Sequence, residues 1–178
     1  MMKSQDILIL LKLISLYQSE SIQAEDFSVR ALAASTGISK TEVSTSLNRS
    51  IEAGLAKLDR RSQLPTTNNK ALLSFIVSGL RYVFPVKPGA IERGLITGFE
   101  ALGLKGLLSS VADYHYIWPD AKGSDKGQAV APLYKTAPHA ARQDPHLYQS
   151  MALLDAIRLG APREVTIAKQ ILSEHLRP

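Results

Sequence analysis

The sequence predicts a mainly α protein whose mostly helical C-terminal region contains a small β-hairpin. Three observations predict it. Apolar residues recur at helical spacing over most of the chain. Those segments are bounded by capping residues, glycines and prolines where helices begin and end. Only one stretch, near the middle of the second half, alternates short β-rich runs with a turn-forming segment. The chain has 178 residues, of which 45% are hydrophobic and 21% charged. That suits one ordinary domain, or two small ones sharing a core. It has no cysteine, which excludes disulfides and thiolate metal sites. The longest purely apolar run, Ile7–Leu11, ends at Lys12, far short of the ~20 residues that span a bilayer. Gln5 and Asp6 interrupt what would otherwise resemble a leader, and no clean cleavage site follows. No membrane association is expected, and the cytoplasm is the expected compartment.

From Ser4 to about Gln18 the pattern is helical, with Ile7, Leu10, Leu11, Ile14 and Tyr17 in one stripe and Leu8, Ile9, Leu13 and Leu16 around it. A helix apolar nearly all round must be buried on more than one side, either by the rest of the chain or by a second copy. After the polar stretch Ser19–Asp26, Ser28 can cap a helix carrying Val29, Leu32, Ala33 and Thr36 on one face. Gly37 suits the left-handed residue that ends it. Ser39-Lys40-Thr41-Glu42 reads as a capping box opening the next helix. That helix runs to about Ala53, with Val43, Leu47 and Ile51 facing the preceding one and Gly54 as its stop. Two short helices around a glycine turn make a helix-turn-helix.

The run from Gly37 to Leu55 resembles the winged helix-turn-helix regulators of the broad MarR-like kind, in which the recognition helix ends in a similar glycine-leucine step into the wing. The resemblance covers roughly residues 5–62, the N-terminal third. It implies double-stranded DNA as partner and Ser39–Ala53 as the recognition helix. Lys40, Thr41, Ser44, Thr45, Asn48 and Arg49 are the candidate DNA-binding residues on that helix. Asn can pair with adenine and Arg with guanine in the major groove, while Ser and Thr can hold phosphates. Glu42 and Glu52 lie on the same outer side and would repel phosphate. Leu55–Asp59 can form a short strand, which puts Arg60 and Arg61 at the wing tip, within reach of backbone or minor groove. Ser62–Lys70 offers no clear returning strand, so a truncated wing or a loop is expected there.

Charge agrees with such a partner. Lys plus Arg number 21 against 16 Asp plus Glu, a net +5. Between Lys40 and Lys70 six basic residues stand against three acidic ones, so more than half of the excess lies in this stretch.

Residues 71–178 are expected to supply dimerisation or to receive a signal, beside a DNA-binding region in residues 1–70. Asn69–Phe84 reads as a helix capped by Asn68 or Asn69 and ended by Pro85 and Pro88. The glycine-rich segment Lys87–Gly106 has no phosphate-loop spacing and reads as turns and irregular chain. Tyr114–Pro119 and Gln128–Tyr134, separated by Asp120–Gly127, read as a hairpin. Tyr116, Trp118 and Tyr134 there are candidates for a ligand pocket or interface, with a core role the more frequent fate of a lone tryptophan. Helices over Pro145–Leu159 and from Pro162 onward finish the chain, and with the apolar first helix they suggest a homodimer.

Nothing in the pattern calls for an enzyme. The histidines are His115, His139, His146 and His175, without the i, i+4 spacing of a zinc helix. Asp113 with His115, or Asp144 with His146, is more often a surface pair than an acid/base pair. No cofactor is expected. The expectation is therefore a sequence-specific DNA-binding regulator, a homodimeric repressor or autoregulator, or an antitoxin-like component, with a protein partner or small effector at the C-terminal part. The alternative is a winged-helix protein-interaction subunit of a larger assembly.

Overall fold

The structure, a computed structural model, describes residues 1–102 and 115–177. The chain is mainly helical. Its elements run α1 (Ser4–Tyr17), α2 (Val29–Thr36), α3 (Lys40–Glu52), β1 (Ala56–Leu58), β2 (Pro65–Thr67), α4 (Asn69–Ser78) and α5 (Leu80–Val83). They continue with β3 (Ile91–Thr97), β4 (Tyr116–Pro119), β5 (Asp125–Ala129), α6 (Ala137–Gln143), α7 (Pro145–Leu159) and α8 (Pro162–His175).

Helix α1 is the centre of the core. Ile7 through Leu11 and Leu13 have no exposed surface at all. α2, α3, β2 and α7 pack around them. Of the two covers that the sequence allows this helix, the chain itself provides one. A single apolar cluster joins Leu32 and Val43 to Met151, Leu154 and Leu172, so the N-terminal and C-terminal regions share one core.

The buried carboxylates show how the pieces are tied. Asp144 caps α7 by accepting from the Leu147 N–H at 3.0 Å. It also accepts from Lys12 Nζ at 2.8 Å and Ser15 Oγ at 2.7 Å on α1. Burial works to raise its pKa, but Lys12, the Leu147 N–H and Ser15 outweigh that and hold the carboxyl below its usual range. Asp155, midway along α7, accepts from Thr97 Oγ1 and Trp118 Nε1, each at 2.6 Å, and from Arg158 Nη1 at 2.9 Å. Burial pushes this carboxyl up against the pull of those donors. Arg158 then donates through Nε to the Phe84 carbonyl at 2.9 Å.

Several elements differ from the sequence reading. A returning strand does exist: β2 pairs antiparallel with β1, Ala56 opposite Thr67 and Leu58 opposite Pro65. Pro65 is tolerated because it stands at the end of an edge strand. The expected hairpin is replaced by a three-stranded sheet. β4 and β5 are both antiparallel to β3 and lie parallel to each other, Tyr116 beside Gln128. β3 arises inside the glycine-rich segment, which was expected to be irregular. The physical reason is Gly94, which pairs with Pro119 on one neighbour and with Asp125 on the other. A Cβ there would strike the Trp118 backbone, and one on Gly123 would strike Gly94. Glycine is thus the requirement of a tightly coiled sheet. The helix expected over Asn69–Phe84 breaks at Gly79 into α4 and α5, with Asn68 as the cap of α4. Helix α6 was missed. Its Pro138 sits in the first turn, where proline costs nothing.

Candidate nucleic-acid interface

The helix pair α2–α3 is built as its sequence indicates. The Ser28 side chain accepts from the Ala31 N–H at 3.1 Å, capping α2. Gly37 ends it with φ +72°. A Cβ at Gly37 would also press on Thr136 and His139, at 3.1–3.3 Å, where the start of α6 covers the turn. Ser39 caps α3 by accepting from the Glu42 N–H at 3.3 Å. The capping box is only half formed. The Glu42 carboxylate accepts instead from Gln5 Nε2 at 2.9 Å, so it is turned toward α1.

Helix α3 buries Val43, Ser46 and Ser50, with Leu47 partly covered. The inner face is therefore shifted from the expected Val43, Leu47 and Ile51, and Ile51 is 39% exposed. Thr41, Ser44, Thr45 and Asn48 form an exposed row of short polar side chains, with Lys40 at its start and Glu52 at its end. Thr45 Oγ1 donates to the Thr41 carbonyl at 2.8 Å. Asn48 makes no side-chain hydrogen bond among the described residues.

Arg49 does not belong to that row. Its Nη2 donates to Asp6 Oδ1 at 2.7 Å and its Nε to Oδ2 at 3.1 Å. Asp6 is completely buried and also accepts from Ser46 Oγ at 2.6 Å and from the Lys3 N–H at 2.8 Å. The assignment of Arg49 to a base-reading role is corrected: the guanidinium is a fastener between α3 and α1. The bond to Asp6 raises its already high pKa. The sequence held the signal. A lone carboxylate in an otherwise apolar helix must find a cation or leave the core.

Beyond α3, the β1–β2 connection presents Arg60 and Arg61, both exposed and without an ion pair among the described residues. The turn is ordered by Asp59, whose Oδ1 accepts from the N–H groups of Arg61 and Ser62 at 3.0 and 2.9 Å. Those bonds, led by Ser62, lower the Asp59 pKa. Gln63 completes the turn at φ +58°, and its carboxamide donates to the carbonyls of Asp59 and Arg60 at 3.3 and 3.2 Å. Lys57, exposed on β1, is a further cation that sequence reasoning did not select.

The aromatic candidates of the C-terminal part behave differently. Trp118 is fully buried, bonded to Asp155 and packed edge-on to Tyr148 with ring centroids 5.9 Å apart. It is a core residue and not a pocket wall. Tyr116 and Tyr134 are half-buried, and Tyr134 packs against the core. A cavity of about 530 Å³ lies elsewhere, between the end of α1, β2 and the start of α4, with Tyr17, Lys57 and Asn69 among its walls. Asp113 lies outside the described residues, while His115 lies against Glu100. His146 makes no hydrogen bond or ion pair with Asp144 among the described residues. It stacks on His175 with centroids 3.8 Å apart and rings within 14° of parallel. Among the described residues no cluster of three His, Asp or Glu side chains is arranged to hold a metal ion. Nor is any helix among them long and apolar enough to cross a membrane.

Comparison with known proteins finds no matching family model, no similar curated protein and no similar solved structure.

Proposed function

We propose that the chain is a sequence-specific, double-stranded-DNA-binding regulator in the cytoplasm, with α3 entering the major groove and the β1–β2 turn acting as a wing on the backbone or in the minor groove. The observation that carries this reading is the exposed row Thr41, Ser44, Thr45 and Asn48 on a helix fastened by the Arg49–Asp6 pair, flanked by the exposed cations Lys40, Arg60 and Arg61. Exposed polar side chains on a helix meet base edges, and cations beside it meet phosphates. A paired β1–β2 after α3 supports the winged-helix resemblance. A homodimeric repressor or autoregulator, or an antitoxin-like component, fits this reading. Dimerisation no longer draws support from α1, which is sealed within the chain. Tyr82 and Val83 of α5, 77% and 53% exposed, are apolar surface available to a second copy.

A second reading rests on a specific observation. The outward side of α3 and the hairpin also expose Ile51 and Leu58, 39% and 50% accessible, which suits a protein-interaction subunit. Fluorescence anisotropy separates the two, using the DNA upstream of the chain's own gene against a scrambled duplex over a salt series. A regulator binds the upstream duplex about a thousandfold more tightly or better, with a steep salt slope. Equal, weak binding to both duplexes favours the interaction subunit.

A further inference from the structure

We propose that the DNA this chain selects is read at A·T pairs, through Asn48 and Thr45, and not at guanine. The inference rests on the reading of α3 as the helix that enters the major groove. It goes further by naming the bases.

Guanine offers the major groove two acceptors, O6 and N7, and the side chain best shaped for them is a forked arginine. α3 has one arginine, whose Nε–Nη2 edge is spent on Asp6 at 3.1 and 2.7 Å and whose side chain is only 16% exposed. Releasing it would strand a fully buried carboxylate, so Arg49 is not lent to DNA. Thr45 has likewise given its only hydroxyl proton to the Thr41 carbonyl. It presents oxygen lone pairs, which accept from an exocyclic amine and repel guanine's acceptors, and a methyl group, which packs on the thymine methyl and supplies the preference for A·T. Asn48, on the same exposed row one turn on, keeps both its amide hydrogens and its carbonyl oxygen free of partners among the described residues. That is the pair of groups that engages adenine N6 and N7 together. Ser44 donates or accepts and discriminates little. Lys40, at the first residue of the helix, is a point charge suited to phosphate. Arg60 and Arg61 add to the same preference, because the narrow minor groove of A-tracts concentrates negative potential.

The test is selection of duplexes from a randomised pool by the full chain, followed by sequencing of the bound fraction. The expected outcome is an A·T-rich core. Asn48→Ala should relax one adenine position per half-site, weakening the selected duplex roughly ten- to a hundredfold. Arg49→Lys, which keeps a cation on Asp6, should leave the selected bases unchanged. A guanine at the positions that depend on Asn48 or Thr45, or a G·C preference lost in Arg49→Lys, would overturn the assignment while leaving DNA binding intact. A pool with no enrichment, from protein shown to be folded by circular dichroism, would overturn the DNA reading and this inference with it.

Discussion

Arg49 lays its guanidinium fork across the two carboxylate oxygens of Asp6, 43 residues away in sequence, and so locks α3 onto the central helix α1. The fastening has two consequences. It holds the exposed row of α3 in one orientation, and it turns the helix's only arginine away from that row toward α1. Breaking a buried pair by removing one member leaves an uncompensated charge. Arg49→Ala should therefore lower stability by about 3 kcal/mol, read from chemical denaturation, with Arg49→Lys losing less. Equal stability of Arg49→Ala and the parent chain would show that the pair does not fasten the helix.

The link between α1 and α7 should be acid-labile. Asp144 has a folded-state pKa below its unfolded value of about 3.9. Between the two, the unfolded chain binds the extra proton. Its stabilisation is thus complete above about pH 4 and is lost as pH falls through the folded value. Asp144→Asn should be less stable at pH 7 and should lose less on acidification than the parent. Melting curves from pH 7 to pH 3 check this, and parallel losses in both proteins would refute it.

The stacked His146–His175 pair predicts a second pH window. His146 Nε2 lies 3.3 Å from the His175 carbonyl, and His175 Nε2 lies 3.1 Å from the His146 carbonyl and 2.9 Å from Ser150 Oγ. Burial lowers the pKa of both, and His146 lowers that of His175 further, against the opposing pull of Asp144. Folded values below the unfolded value of about 6.5 mean that stability rises with pH through this window. The protein should lose stability as pH drops below about 6.5, and His175→Phe should flatten that slope. A melting temperature equally pH-dependent in the variant would contradict the assignment.

Trp118 should report on the docking of the β3–β5 sheet onto α7. Trp118→Phe leaves the fully buried Asp155 one donor short, at a cost of about 1–3 kcal/mol. Because Trp118 is the chain's single tryptophan, its emission in the parent should shift to longer wavelength on unfolding. An emission maximum already at the solvent-exposed position in the native protein would rule out this packing.

Much of the helical frame was legible because its signals are local. Ser28, Gly37, Ser39, Asn68, Pro145, Gly160 and Pro162 all do at helix ends what their chemistry suggests. What escaped was set by partners distant in sequence. Arg49 has a position on its helix that suits an outward face, yet the demand of Asp6 turns it inward. Lys12 and Asp144 each look like lone charges until α1 and α7 meet. The coiled sheet was illegible because Gly94 reads as a turn and proves to be a point of close backbone approach. Trp118 reads as a candidate for a pocket or interface with the core as the more frequent fate, and the core is where it lies, its indole N–H satisfied by Asp155. The exposed row on α3 and the Arg60–Arg61 turn were the legible part of the candidate interface.

The central claim, that the outward face of α3 meets DNA, is tested most directly by placing one negative charge on it. Ser44 is exposed, so Ser44→Glu should melt like the parent chain. Its affinity for duplex DNA at low salt should fall at least about tenfold, through repulsion of the phosphate backbone. Unchanged DNA affinity in a normally folded Ser44→Glu protein would contradict the claim.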